Sequence, residues 1–312
     1  MKIAFLFPGQ GTQYVGMGKE LYEKFPLVKD FYDSLEPLDN GDRISDISFM
    51  GPEEKLKLTS YTQPCIVALE IAIYKLLDQH GIQAEAVAGL SLGEYAALAY
   101  AGVIHEKEAV SLVYKRGKIM ESSIQPGVGT MAAVMGIEDS ILQTICEQIS
   151  EEPNQLVEIA NYNCPGQRII SGHTSAVKKA AELAKEQGAR RIIPLNVAGP
   201  FHSSLYREAG LKLRAELSNA NLHDIKRSKI FFNLYGDTSA EPIIDIMEKQ
   251  MSYPIRFEKS IEKMIDQGID TFIEVGPGKT LGAFAKKINR ASNIYNIEDV
   301  SGLESILKAK EV

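Results

Sequence analysis

The 312-residue sequence has no tryptophan and only three cysteines. Cys65, Cys146 and Cys164 show no CxxC spacing, and their odd number argues against a disulfide framework and fits a reducing cytoplasm. The five histidines, His80, His105, His173, His202 and His223, lie far apart and form no HExxH. No metal site is expected from them. No apolar run reaches the roughly 18 residues of a membrane span. The apolar start, Met1–Phe7, stops at Pro8-Gly9. It is too short for a secretory signal and is expected to be a first strand. There is no basic excess: 34 Lys and Arg face 41 Asp and Glu, for a net charge of −7. That balance argues against non-specific nucleic-acid binding as the main task.

What is present is a globular composition, 45% hydrophobic and 24% charged, which excludes a disordered or collagen-like chain. Strand-like and helix-like runs alternate. Residues 2–7 and 85–90 read as strands. Residues 62–80, 92–101 and 107–121 read as helices, with Thr62 as an N-cap and Gly81 as a stop. This alternation predicts an α/β fold with a mainly parallel sheet. From Thr130 the rhythm changes to β-α-β-β-α-β, the ferredoxin-like order, ending with a strand at Arg190–Leu195. The expected organisation is a large unit, 1–126 and 197–312, carrying a small ferredoxin-like insertion at 127–196. Helices at 204–218, 242–250, 256–266 and 279–288 and strands at 229–234 and 270–275 complete the large unit.

Gly89-Leu90-Ser91-Leu92-Gly93 matches G-x-S-x-G where an apolar strand meets a helix, the setting of a nucleophile elbow. The bland alternative is an ordinary strand-to-helix turn. A serine hydroxyl needs a base. His202 is the best placed, in a loop between a strand and a helix, where catalytic groups tend to sit. The other histidines have adequate roles at helix ends or in polar loops. Phe7-Pro8-Gly9-Gln10-Gly11 is a second glycine-rich turn that could offer backbone N–H groups to an oxyanion. Gly276-Pro277-Gly278-Lys279-Thr280 is not a Walker A loop, because position 273 is Ile273 rather than glycine.

Arg116 shares a helix face with Leu112, Val113, Ile119 and Met120. A buried guanidinium must meet an anion or reach out to water. The sequence leaves two readings open: an internal salt bridge, or a bidentate grip on a ligand carboxylate.

Seven motifs then stand in order: Phe7–Gly11, Thr62-Gln63-Pro64, Gly89–Glu94, Arg116-Gly117-Lys118, Asn163–Gln167, Phe201-His202-Ser203 and Glu274–Lys279. In this combination the chain resembles the malonyl-CoA:acyl carrier protein transacylases, the acyltransferases of bacterial type II fatty-acid synthesis, over residues 2 to about 290. The resemblance implies an α/β-hydrolase-like large unit and a ferredoxin-like small one. It implies that Ser91 is acylated, that His202 is its base, and that the N–H groups of Gln10 and Leu92 hold the oxyanion. It further implies that Arg116 binds the malonate carboxylate, that Gln63 lines the pocket, and that the carbonyl of Gln250 orients His202. Phe201, beside the base, would limit α-branching of the acyl group. Malonyl-CoA and an acyl carrier protein would be the partners, with no cofactor, nucleic acid or membrane, and a monomeric cytoplasmic enzyme. One departure stands out: Leu90 replaces the usual histidine before the serine. A trans-acting acyltransferase or acyl hydrolase of a polyketide pathway is the alternative. Docking of an acidic carrier protein is expected on Lys178, Lys179, Arg190 and Arg191, or on Lys286, Lys287 and Arg290.

Overall fold

The computed structural model describes residues 1–310. Five strands make one wholly parallel sheet: β1 (Ile3–Phe7), β2 (Ala86–Gly89), β7 (Lys229–Ile230), β8 (Thr271–Val275) and β9 (Asn293–Ile297). Their order is β7-β2-β1-β8-β9. All five residues of β1 are buried, as a central parallel strand covered by helices on both faces requires. Burial of Phe5 or Phe7 alone contributes about 1.5–3 kcal/mol.

The remaining strands, β3 (Gly129–Met135), β4 (Val157–Cys164), β5 (Gln167–His173) and β6 (Arg191–Pro194), form an antiparallel sheet in the order β4-β5-β3-β6. With helices Asp139–Ser150 and Thr174–Glu186 between strands, this is the ferredoxin-like arrangement. One face of β3 turns Ala132 and Val134 toward those helices, which bury Leu142, Ile145, Ala176 and Ala180 in a separate small core. The other face, with Met131 and Ala133, packs on the core of the large unit. Period-two alternation along one strand thus serves two cores.

The small unit is fastened to the large one by backbone. Tyr162 N–H donates to the Ile255 carbonyl and Ile255 N–H to that of Ala160, both at 2.8 Å. Arg168 adds ion pairs to Asp139 at 2.7 Å and, across the junction, to Glu258 at 2.6 Å.

Three sequence expectations change. The helix expected from Thr62 begins at Thr59. Thr62 lies inside it, its hydroxyl donating to the Leu56 carbonyl, and Pro64 is interior. The cap comes from another helix: Glu121 accepts from Ser60 N–H at 2.9 Å. The expected strand 229–234 pairs only at Lys229–Ile230, because Phe232 closes a turn with Asp237 instead. Strand β9, the C-terminal helix Val300–Lys310 and four short helices between Lys19 and Leu56 were not anticipated from the pattern.

Candidate active site

β1 and β2 run in register with Phe7 opposite Gly89, so their carboxyl ends deliver the Pro8–Gln10 loop and the Leu90–Leu92 turn side by side. That edge of a parallel sheet is where ligands bind. The approach is close enough to need glycine. A Cβ on Gly93 would stand 2.0 Å from the Phe7 carbonyl oxygen, and one on Gly9 would stand 2.6 Å from that of Leu90. Ser91 sits at the turn with φ of 54°, in the left-handed region that costs a non-glycine residue about 1–3 kcal/mol. His202 also has a positive φ, 57°. Both residues are held in their places by the surroundings rather than by local preference.

Ser91 Oγ lies 2.6 Å from His202 Nε2, and His202 Nδ1 lies 2.8 Å from the Gln250 carbonyl oxygen. A carbonyl can only accept, so Nδ1 carries the proton and Nε2 is free to accept from the serine hydroxyl. Burial and the nearby Arg116 push the His202 pKa down to about 3. The imidazole is therefore neutral, the form a base requires. The same shift gives a stability test. The unfolded imidazole takes up a proton near pH 6.5, whereas the folded one does so only near 3. The contribution is fully present above pH 6.5 and is lost as pH falls toward 3. Between pH 7 and 5 the native protein should lose about 2 kcal/mol more stability than His202→Gln, read by denaturant unfolding. Equal losses would show that folded His202 is protonated in that range.

Arg116 is 1% exposed, on the helix Glu106–Ser123. Its guanidinium NH2 donates to Ser91 Oγ and to Gln250 Oε1, each at 3.3 Å, and Tyr95 lies beneath it with its ring centre 5.4 Å away. No carboxylate among the described residues comes within 4 Å of it, and its Nε has no partner. Desolvation lowers its pKa. The internal salt bridge that the sequence left open is absent. The neighbouring Gly117 lets the helix press on the start of Thr59–Gln79: a Cβ there would meet Ser60 Cα at 2.5 Å.

Gln63 is fully buried, with Nε2 on the Met120 sulfur at 3.2 Å and Oε1 without a partner. The Gln10 side chain donates to Thr59 Oγ1 at 3.1 Å. The backbone N–H groups of Gln10 and Leu92 donate to no acceptor among the described residues. Phe201 is buried against Tyr206, ring centres 5.6 Å apart. Leu90 packs its side chain on the core beneath the sheet. His202 also borders a cleft of about 440 Å³ between small-unit residues such as Cys146 and Tyr162 and the segment Ser252–Arg256.

Two residues in this network were not singled out from the sequence. Asn233 accepts from Ser91 N–H at 2.7 Å and donates to the Gly89 carbonyl at 2.5 Å, bracing both sides of the strained turn. Glu94 is fully buried, and desolvation raises its pKa to about 7. Its two oxygens accept from Asn233 N–H at 2.8 Å and from Gln250 Nε2. Each had a signal: Glu94 is the one charge in the segment 92–101, and Asn233 is the one polar side chain in Phe231–Leu234.

A serine on a strained turn, a neutral histidine at its hydroxyl and, among the described residues, two unspent N–H groups and an unpaired buried cation are the groups that acyl transfer calls for. Residues 4–303 match the model of the acyl transferase domain. The chain belongs to that family, and within it to the malonyl CoA-acyl carrier protein transacylases. It is 44% identical to the malonyl CoA-acyl carrier protein transacylase of Bacillus subtilis, over 97% of this chain and 95% of that protein. The crystal structure of the corresponding Clostridium perfringens protein superposes with a TM-score of 0.94 at 40% identity, covering 100% of this chain and 98% of that one. A malonyl-transacylase solved in complex with a type II polyketide acyl carrier protein gives 0.92 at 32% identity, over 99% and 100% of the two chains.

Proposed function

We propose that this enzyme moves a malonyl group from malonyl-CoA to the phosphopantetheine thiol of an acyl carrier protein through a malonyl ester of Ser91. The observation that carries the substrate reading is the Arg116 guanidinium, buried without a carboxylate partner and 3.3 Å from Ser91 Oγ. A malonyl carboxylate supplies the missing anion and places the thioester carbonyl beside the hydroxyl. A neutral acyl group offers nothing to that cation.

His202 takes the Ser91 proton at Nε2 as Oγ bonds to the thioester carbon. The carbonyl electrons move onto oxygen, where the N–H groups of Gln10 and Leu92 receive them. The C–S bond then breaks, the electrons return to the carbonyl, and the proton on His202 leaves with the CoA sulfur. The carrier thiol reverses the sequence, giving its proton to His202 as its sulfur attacks the ester. One site serves two thioesters in turn, which is ping-pong kinetics. The Gln250 carbonyl keeps Nδ1 protonated throughout. Gln63 and Phe201 bound the acyl pocket.

The small unit, 127–196, is read as the inserted half of the substrate cleft. The enzyme is read as a cytoplasmic monomer; among the described residues no helix is long and apolar enough to cross a membrane. For the acidic carrier protein, the Lys286–Arg290 face is favoured. The helix Thr280–Ile288 that carries Lys286 and Lys287 packs on β4 of the small unit, and among the described residues neither Lys287 nor Arg290 forms an ion pair. In the other cluster Lys179 is engaged by Glu152 at 2.5 Å.

The test is intact-mass analysis. Malonyl-CoA should add one malonyl group to the protein, and holo carrier protein should discharge it far faster than water. An adduct lost at one rate with or without carrier protein would make the enzyme a hydrolase.

A further inference from the structure

We propose that Glu94 enforces the preference for carboxylate-bearing acyl groups by locking the Gln250 amide in one orientation, so that an oxygen always faces Arg116. The inference rests on the malonyl-transfer reading and names a residue that acts through another. Glu94 touches neither the acyl group nor the reacting atoms, and is a positioning residue.

The two ends of a glutamine amide are nearly the same shape, so hydrogen-bond partners alone decide which way it points. On one side of Gln250 stand two acceptors, the Ser91 carbonyl at 2.9 Å and a Glu94 oxygen. On the other stands a donor, the Arg116 guanidinium at 3.3 Å. The second Glu94 oxygen is already taken by the Asn233 backbone N–H at 2.8 Å. Glu94 thus has both oxygens committed to donors and gives nothing back. Turned over, the amide would set its oxygen against two acceptors and its NH2 against a cation, all buried.

The consequence falls on Arg116. Among the described residues its side-chain hydrogen bonds are to Ser91 Oγ and Gln250 Oε1, and Nε has none. Gln250 Oε1 is therefore what tethers the guanidinium over the nucleophile before substrate arrives. In Glu94→Gln, the fixed N–H of Asn233 claims the new amide oxygen, and the new NH2 points at Gln250. Two donors then face each other, only the Ser91 carbonyl and Arg116 still hold the original orientation of Gln250, and wherever the amide turns over Arg116 faces a donor. Malonyl transfer, which depends on the guanidinium, suffers; acetyl transfer, which does not, is spared.

The experiment measures kcat/KM for malonyl-CoA and acetyl-CoA in the native enzyme, Glu94→Gln, Glu94→Asp, Gln250→Met and the Glu94→Gln/Gln250→Met double variant. Gln250→Met keeps the backbone carbonyl used by His202. Glu94→Gln and Gln250→Met should each lower the malonyl-to-acetyl ratio about tenfold, the scale of one hydrogen bond to a charged group. The double variant should fall no further than Gln250→Met, because one residue acts through the other. Glu94→Asp, which keeps a carboxylate and has no amide NH2 to turn toward Gln250, should keep the ratio even if turnover drops. An unchanged ratio in Glu94→Gln, a double variant equal to the product of the singles, or an aspartate variant that loses the ratio would overturn the proposal. Should Glu94→Gln not fold, a ratio kept in Glu94→Asp and lost in Gln250→Met sustains it, and any other pairing overturns it. A native enzyme with no preference for malonyl-CoA would sink the malonyl reading itself; a native preference that Glu94→Gln leaves intact sinks only the role of Glu94.

Discussion

Ser91→Ala should leave a folded protein that forms no malonyl adduct and loses turnover by at least about 10⁴-fold, the scale seen when the nucleophile of a coupled catalytic set is removed. The geometry makes this a clean test. Alanine keeps a Cβ at the same positive φ, so backbone strain is unchanged. The bonds from the Ser91 backbone to Asn233 and Gln250 do not involve the hydroxyl. Only the contacts of Oγ to His202 and Arg116 disappear. Unfolding temperature and intact mass would be read on the same sample. A malonyl adduct on the alanine variant would mean that another residue is acylated.

Arg116→Ala should cost about 2–5 kcal/mol in kcat/KM for malonyl-CoA, which is at least roughly thirtyfold. Truncation leaves the substrate carboxylate desolvated and unpaired, the expensive way to lose a buried charge pair. Acetyl-CoA should lose much less, and could gain, because the variant removes a buried cation that the acetyl group never satisfies. The split between the two substrates is the measurement. Parallel losses would assign Arg116 to holding the helix Glu106–Ser123 in place, not to recognition.

Legibility from the sequence followed how local each cause was. The elbow was readable because its geometry depends on neighbours in the chain: glycine at 89 and 93, an apolar strand before, a helix after. The small unit was readable because two amphipathic helices and four strands each carry their own periodicity. Burial of Arg116 followed from the apolar spacing around it, but its lack of an ion pair did not. That depends on which side chains of other elements come near. The start of the helix at Thr59 was hidden for the same reason, since its cap is Glu121, 61 residues away. Asn233 and Glu94 were each conspicuous as single polar residues in apolar segments. What they brace could be seen only once the turn, the short β7 strand and Gln250 were brought together.

The wide spacing of the catalytic network has a consequence for the chain while it is being made. His202 meets Ser91 across 111 residues of sequence, and Gln250 meets Ser91 across 159. Strand β8, which pairs with β1, and strand β9 beyond it come later still. A nascent chain that has emerged only through the small unit contains the serine and its turn but lacks the histidine, its carbonyl partner and three of the five strands of the parallel sheet. By the mechanism proposed above, such a chain cannot acylate itself, however much malonyl-CoA surrounds the ribosome. Ordering the site requires contacts of high sequence separation that form late. Catalytic competence therefore arrives at once, and only after β8 and β9 have been made.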